Sequence, residues 1–178
     1  MHSSFSAAPV SSDFKPVRNR NLQLGFLLAL ALCAACADAL DPVPFQGVSG
    51  ILTYLSEPDS ASTDWIRVLA YRDLPQGELD LLAFEPPSDT LPRQGLSAPY
   101  VVALEPEEYA WLVVVWKERG NDNLLEALRA AGWYTASGDA FSAPASFRVA
   151  ADSESAGINV IADFENMLTI AEVLEVLP

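Results

Sequence analysis

The sequence predicts a mainly β protein, folded as an antiparallel seven-stranded β-sandwich with one short internal helix. Three observations predict this fold class: short apolar segments recur along the chain, turns containing proline or glycine separate them, and no repeat of fixed period appears. The predicted strands are residues 48–55, 65–72, 79–84, 99–104, 109–117, 146–151 and 158–164.

The first four predicted strands differ in how they are connected. A polar loop precedes strand 65–72, which is rich in β-branched and aromatic residues. A turn containing Pro75 and Gly77 leads into the third strand, 79–84. Several prolines then predict an irregular crossing before strand 99–104, since proline cannot donate a backbone hydrogen bond.

The fifth strand, 109–117, is the strongest of the set. Its centre is apolar on both faces, which is typical of a strand buried within a sheet and predicts a central position. Trp111 and Trp116 fall on opposite faces, and each is expected to pack in the core or at its rim and not to form a ligand platform. An edge strand with two apolar faces would invite aggregation.

Two helices are predicted in the second half of the chain. Over residues 122–131, Leu124, Leu125, Leu128 and Ala131 share one helical face, and Gly132 stands where a helix C-terminal glycine belongs. Helical spacing also recurs in the tail, residues 165–178.

The leader predicts export from the cytoplasm. Residues 1–37 hold a basic region, an apolar run of about 14 residues and small residues at its end, which is typical of a secretory signal. The run is shorter than the roughly 20 apolar residues of a membrane-spanning helix. Residues 38–44 then form a proline-containing linker, and residues 45–178 form the sandwich domain.

The end of the leader resembles a bacterial lipobox. Small residues precede Cys36, which predicts its lipidation and a membrane anchor made by acyl chains. Cys33 stands where the lipobox pattern prefers leucine. The alternative is an ordinary signal-peptidase cut before Asp38, which would give a secreted or periplasmic protein.

Composition excludes several function classes. The chain of 178 residues carries 24 acidic and 10 basic residues, a formal charge of -14, whereas nucleic-acid binding needs a basic patch. The single histidine lies in the leader, at position 2, and both cysteines lie there too. The domain that follows therefore lacks the base of a nucleophilic triad and the usual zinc ligands. We expect no enzyme activity and no cofactor.

Three other kinds of site stay open on the sequence. A pair of carboxylates could hydrolyse glycosides, although no spacing singles out a pair. The loops 59–64 and 152–154 offer oxygen donors for calcium, without matching the EF-hand pattern. Trp133 and Tyr134 follow the predicted helix and could present an aromatic platform to a sugar, or else fill the gap between helix and sandwich.

The order of motifs resembles a known family. The segments that carry the resemblance are Gly47-Val48-Ser49-Gly50-Ile51, Ile66 to Tyr71, Pro99 to Leu104 running into Tyr109 to Val113, Ala131 to Tyr134, and Ala156 to Phe164. They look like bacterial envelope lipoproteins with a prealbumin-like sandwich, related in shape to carboxypeptidase regulatory-like domains. The resemblance covers roughly residues 45–164. It implies a fold and an envelope location, and it supplies no catalytic residues.

The sequence therefore predicts a non-enzymatic, extracytoplasmic β-sandwich module, anchored to a bacterial membrane by a lipid. Its expected role is scaffolding or recognition of a glycan or protein partner in the envelope. The alternatives are an acidic-site hydrolase and a calcium-stabilised adhesion module.

Overall fold

The computed structural model describes residues 45–178, and this part of the chain is mainly β. It contains ten strands, many of them short, together with two short α-helices and one turn of 3-10 helix at Asp80–Leu82. The strands are β1 Gly47–Tyr54, β2 Thr63–Tyr71, β3 Ser97–Ala103, β4 Glu108–Tyr109, β5 Trp111–Glu118, β6 Leu128–Trp133, β7 Phe147–Arg148, β8 Glu154–Ser155, β9 Val160–Ala162 and β10 Leu168–Thr169. The helices are α1 Leu124–Ala127 and α2 Ile170–Val176.

The first sheet, sheet A, is centred on β1. One edge of β1 pairs antiparallel with β3 along its whole length, from Gly47 opposite Ala103 to Thr53 opposite Ser97. Its other edge pairs parallel with β8 and then with β9. The expectation of wholly antiparallel pairing is therefore wrong. The chain reaches β8 and β9 only after passing through the second sheet, and such a crossover allows parallel strands to meet.

The second sheet, sheet B, has the antiparallel order β10-β6-β5-β2. Its inner strand β5 has six consecutive buried residues, Trp111 to Trp116. The predicted central position of this segment is confirmed. The strand expected at 146–151 shortens to β7, which pairs with β4 in a separate two-stranded ribbon.

Two core clusters lie on the two faces of sheet B. The larger cluster joins inward residues of both sheets, among them Val48 of β1, Tyr100 of β3 and Val114 of β5. The smaller cluster packs on the opposite face of sheet B, where α2 and Leu81 cover it. Trp116 belongs to the first cluster and Trp111 to the second, so their predicted placement on opposite faces of the strand is confirmed.

The helix expected over residues 122–131 is wrong beyond its first turn. Helix α1 ends at Ala127, and the chain continues as β6, paired with β5. Gly132 does not cap a helix: its φ is +153°, and a Cβ there would collide with the carbonyl of Ile161, where β9 crosses β6. Long-range pairing and a close crossing override the local helical spacing here.

The third predicted strand is also wrong. Residues 79–84 contain the 3-10 turn, in which Leu81 is buried while Leu79 is 76% exposed. The carboxylate of Asp80 accepts a hydrogen bond from the backbone N–H of Gln76 (2.9 Å) and closes the loop locally. Leu81 plugs the second core, and its carbonyl accepts a hydrogen bond from the Tyr71 hydroxyl (2.7 Å).

The helix expected over residues 165–178 is confirmed only in part: Leu168–Thr169 form β10, and the helix α2 covers Ile170–Val176. Thr169 accepts a hydrogen bond from the backbone N–H of Glu172 (3.3 Å), and the Glu172 carboxylate accepts one from the backbone N–H of Thr169 (2.8 Å), which forms a capping box. The helix buries Ile170 and Val173 against sheet B. Over residues 45–178, neither helix has the length and hydrophobicity that crossing a bilayer requires.

Candidate functional site

The predicted lipidation site, Cys36, lies outside the described residues, as does the linker 38–44. Both stay predictions. The structure begins at Phe45, which is partly exposed at the start of the domain.

Trp133 does not present a platform at the surface. It is 1% exposed and makes edge-on contacts with Trp111 and Phe141, with ring centroids 5.8 and 5.1 Å away. Its indole N–H donates to the backbone carbonyl of Ser142 (2.6 Å). The alternation of β6 directs this ring into the second core, so of the two alternatives for Trp133 the burial favours packing over a surface platform.

Tyr134 is partly exposed at the other face of the sheet. Its ring packs edge-on against Phe147, with 6.5 Å between centroids, and its backbone N–H donates to the carbonyl of Leu112 (2.8 Å). These contacts fill the gap beside the main core. A ligand contact by Tyr134 stays a prediction.

Several carboxylates in the described domain accept hydrogen bonds that lower their pKa. Every carboxyl group whose pKa departs from its ordinary value has it lowered: Asp59, Asp64, Asp139, Asp163 and Glu172. The largest shift is at Asp139, where hydrogen bonds from Ser142 and Ser137 lower the pKa to about 2. A glycosidase acid needs the opposite shift, so these five groups suit loop stabilisation and not proton donation.

Several oxygens of the two loops considered for calcium are bonded within the protein. In the first loop, Asp59 accepts the backbone N–H of Ala61 (3.0 Å), and Asp64 pairs with Lys117 (2.8 Å). In the second loop, the Glu154 carboxylate accepts a hydrogen bond from the Ser49 hydroxyl, and the Ser153 hydroxyl donates to the carbonyl of Ala150 (3.2 Å). Over residues 45–178, no three side chains among His, Cys, Asp and Glu are grouped so as to hold a metal ion.

An exposed, uncharged surface covers the outer side of β1 and β3 in sheet A. Alternate residues of β1 and β3 point inward to the core, and the intervening ones point to solvent. We call the outward set the uncharged face: Ser49, Ile51, Thr53, Ser97, Pro99, Val101 and Ala103. Ile51 is 44% exposed and Val101 50%, and the exposed Leu55 and Leu96 extend the apolar surface past the strand ends.

The charge distribution makes this face unusual. Three acidic and three basic residues precede residue 45, so the described domain holds 21 acidic and seven basic residues. No acidic or basic residue occurs in β1 or β3. Among the residues that the structure describes, only the carboxylate of Glu154 is bonded to the uncharged face. It accepts a hydrogen bond from the Ser49 hydroxyl at one end of the face.

One edge of β3 has no partner strand in the described part of the chain. The hydrogen bonds Leu104 N–H to Gln46 and Tyr54 N–H to Leu96 extend the β1–β3 ladder past its two ends. Because antiparallel hydrogen bonds alternate, the backbone groups of the even-numbered residues of β3 face β1. The backbone groups of the odd-numbered residues point away from β1, along the unpaired side of β3. We call this side the free edge, and its residues are Ser97, Pro99, Val101 and Ala103.

The matching edge of sheet B is covered. The backbone N–H groups of Glu85, Ser88 and Leu91 donate to alternate carbonyls of β2, at 2.9 to 3.1 Å. The Ser88 hydroxyl also accepts the N–H of Val68 (2.9 Å). The segment from Glu85 to Leu91 therefore occupies the edge of β2, so that no further strand can pair there. On the free edge, Pro99 is the one residue that lacks a backbone N–H donor.

Carboxylates stand at both ends of the free edge. Glu57 accepts a hydrogen bond from the N–H of Gly95 (3.4 Å), two residues before β3. At the other end a groove of about 300 Å³ is lined by Gln46, Glu85, Pro86, Ala103, Leu104 and Glu105. Arg72 pairs with Glu85 (2.6 Å) and Glu107 (2.9 Å), and Glu105 forms no ion pair with any described residue.

No protein-family model matches this chain, and no curated protein or solved structure matches it significantly.

Proposed function

We propose that this protein is a non-enzymatic recognition module of a bacterial envelope, anchored by a lipid on Cys36 and binding a protein partner through the uncharged face of sheet A. The anchor rests on the leader, in which a basic region, an apolar run and small residues precede the cysteine. The resemblance to prealbumin-like envelope lipoproteins supports the same compartment.

The observation that carries the recognition role is the contrast in charge. A domain with 21 acidic residues leaves the adjacent long strands β1 and β3 without a charged side chain, and exposes Ile51 and Val101 there. Solvation alone favours charged residues at such outward positions, so an exposed apolar surface of this kind is typical of an interface.

The anchor is tested by labelling cells with a tagged fatty acid. We expect the full chain to take the label, Cys36→Ser to lose it, and Cys33→Ser to keep it, since only Cys36 lies at the predicted cut. A mature N-terminus at Asp38 and no label would replace the lipid anchor by ordinary secretion.

The recognition role is tested by photo-crosslinking in the native host. A photoreactive amino acid replaces Val101 on the uncharged face, and Val176, which is 54% exposed on α2, serves as the matched control position. We expect a protein adduct at position 101 alone. Equal adducts at both positions would contradict a protein partner on this face. The absence of adducts, together with a glycan that raises the melting temperature of the protein, would contradict it as well.

A further inference from the structure

We infer that the free edge of β3 binds an extended segment of the partner as an added strand, and that this segment carries a basic residue at each end. The inference rests on the proposed function and deepens it, because it names the structural mode and the chemistry of the partner.

Along the free edge, backbone groups without a partner in the described residues can pair with an added strand. The free edge presents the N–H groups of Ser97, Val101 and Ala103 and the four carbonyls of its residues, and none of them bonds to another described backbone group. A strand of a partner satisfies such groups directly, and its alternate side chains then lie beside the uncharged face. This geometry gives backbone affinity together with selection for uncharged side chains.

A carboxylate stands at each end of the free edge. Glu57 lies beside Gly95 at one end, and Glu105 lies in the groove at the other. A segment long enough to pair with β3 places its termini beside these carboxylates. Lysine or arginine at those positions would form ion pairs at the rim, which steer binding and fix the register.

The same charges disfavour a second copy of this chain. Antiparallel pairing of two β3 strands would bring the Glu57 end of one copy to the Glu105 end of the other. Like charges placed so close oppose association, and the net charge of each domain adds to that repulsion. The occupant is therefore a cationic segment of another protein.

The probe is the labelled peptide Lys-Thr-Val-Thr-Val-Thr-Val-Thr-Lys, titrated against the full chain in mild detergent. We expect it to bind, and the version with glutamate at both ends to bind roughly tenfold or more weakly, because two rim attractions become repulsions. Raising the salt concentration should weaken the binding of the lysine-ended peptide and reduce the difference in affinity between the two peptides. Equal binding of the two peptides would overturn the role of the charged ends.

Strand addition is tested on the peptide itself, so that folding of the protein is not at issue. In an added strand, the backbone N–H groups of alternate residues point to opposite sides, so either those of the valines or those of the threonines face β3. N-methylation of that set removes the donors to β3, and N-methylation of the other set does not. We expect one set to abolish binding and the other to leave it within about twofold. Equal loss or equal tolerance would overturn strand addition.

Protein variants complete the test. Glu105→Gln should weaken the lysine peptide about threefold, while Glu175→Gln, which removes the same charge from α2, should not. Val101→Pro should abolish binding, and Val101→Thr, which keeps the N–H, should retain it.

The outcomes separate this inference from the proposed function. If no peptide binds but crosslinks at position 101 persist, the partner contacts the side chains of the face and not the strand edge, and only the inference fails. If the crosslinks are absent as well, both fail. A dimer of the full chain that Val101→Pro dissociates would overturn the inference in favour of a second copy.

Discussion

The two sheets of this domain differ in what covers them. Sheet B is buried on both faces, by sheet A on one side and by α2 and Leu81 on the other, and the segment from Glu85 to Leu91 closes its β2 edge. Sheet A packs on one side only and leaves the uncharged face and the free edge exposed in the described structure. Both faces of sheet B therefore lie in the cores, whereas sheet A contributes one face to the main core and has the other in contact with solvent, and the proposed binding rests on that difference.

The largest expected effect separates the two sheets directly. Val114→Asp on β5 should prevent folding, because an unpaired carboxylate buried at a position of 0% exposure costs several kcal/mol of the free energy of unfolding. Val101→Asp on the uncharged face should change stability by less than about 0.5 kcal/mol. Thermal unfolding followed by tryptophan fluorescence measures both, and similar melting temperatures for the two variants would remove the distinction.

The next effect concerns the crossing that joins the sheets. Gly132→Ala places a Cβ against the carbonyl of Ile161 in a backbone conformation unfavourable to alanine, so it should cost about 3 kcal/mol or more. Gly138→Ala is the matched control: φ is +73°, but open space surrounds the new Cβ, and the cost should be about 1 kcal/mol. Denaturant titration gives the change in the free energy of unfolding for both variants. Equal changes would argue against the close contact between β6 at Gly132 and β9 at Ile161.

A smaller effect concerns the helix that covers sheet B. Thr169→Ala removes the capping box of α2 and should lower the free energy of unfolding by about 1 kcal/mol. Thr53→Ala on the uncharged face makes the same change without a cap and should be nearly neutral. If Thr53→Ala proves the more damaging of the two, the outer side of sheet A contributes to stability after all.

The smallest effect is a pH dependence in the loop that holds Phe141 over Trp133. Hydrogen bonds from Ser142 and Ser137 lower the pKa of Asp139 from its ordinary value of 3.8 to about 2. A lowered folded-state pKa adds stability that is present above pH 3.8 and is lost as the pH falls towards 2. Asp139→Asn should therefore lower the melting temperature at pH 7, and the difference should shrink between pH 4 and pH 2. A constant difference over that range would show that the charge of Asp139 does not matter.

The sequence predicts the parts of the fold in which local pattern and final environment agree. Strand β5 is apolar on both faces and lies inside a sheet that is covered on both faces. The tail helix has helical spacing and a threonine three residues before a glutamate, which is the cap the structure shows.

The errors arise where distant contacts decide. Leu124, Leu125 and Leu128 have the spacing of one helical face, yet pairing with β5 converts the chain to a strand from Leu128 onwards. The run 79–84 is apolar like a strand, but only Leu81 reaches a core. The free edge of β3 depends on which strands fill the other positions of the sheet, and local pattern does not contain that order. Pro99 is the one signal in the sequence, since proline within a sheet favours an edge strand.

The central claim is that sheet A binds and sheet B supports it. A titration of the isotope-labelled full chain with the lysine-flanked peptide, followed by amide NMR shifts, tests it most directly. We expect the amide signals of residues 47–55 and 95–105 to shift and those of β5 and β6 to stay in place. Shifts centred on Tyr134 or on sheet B at saturating peptide would contradict it.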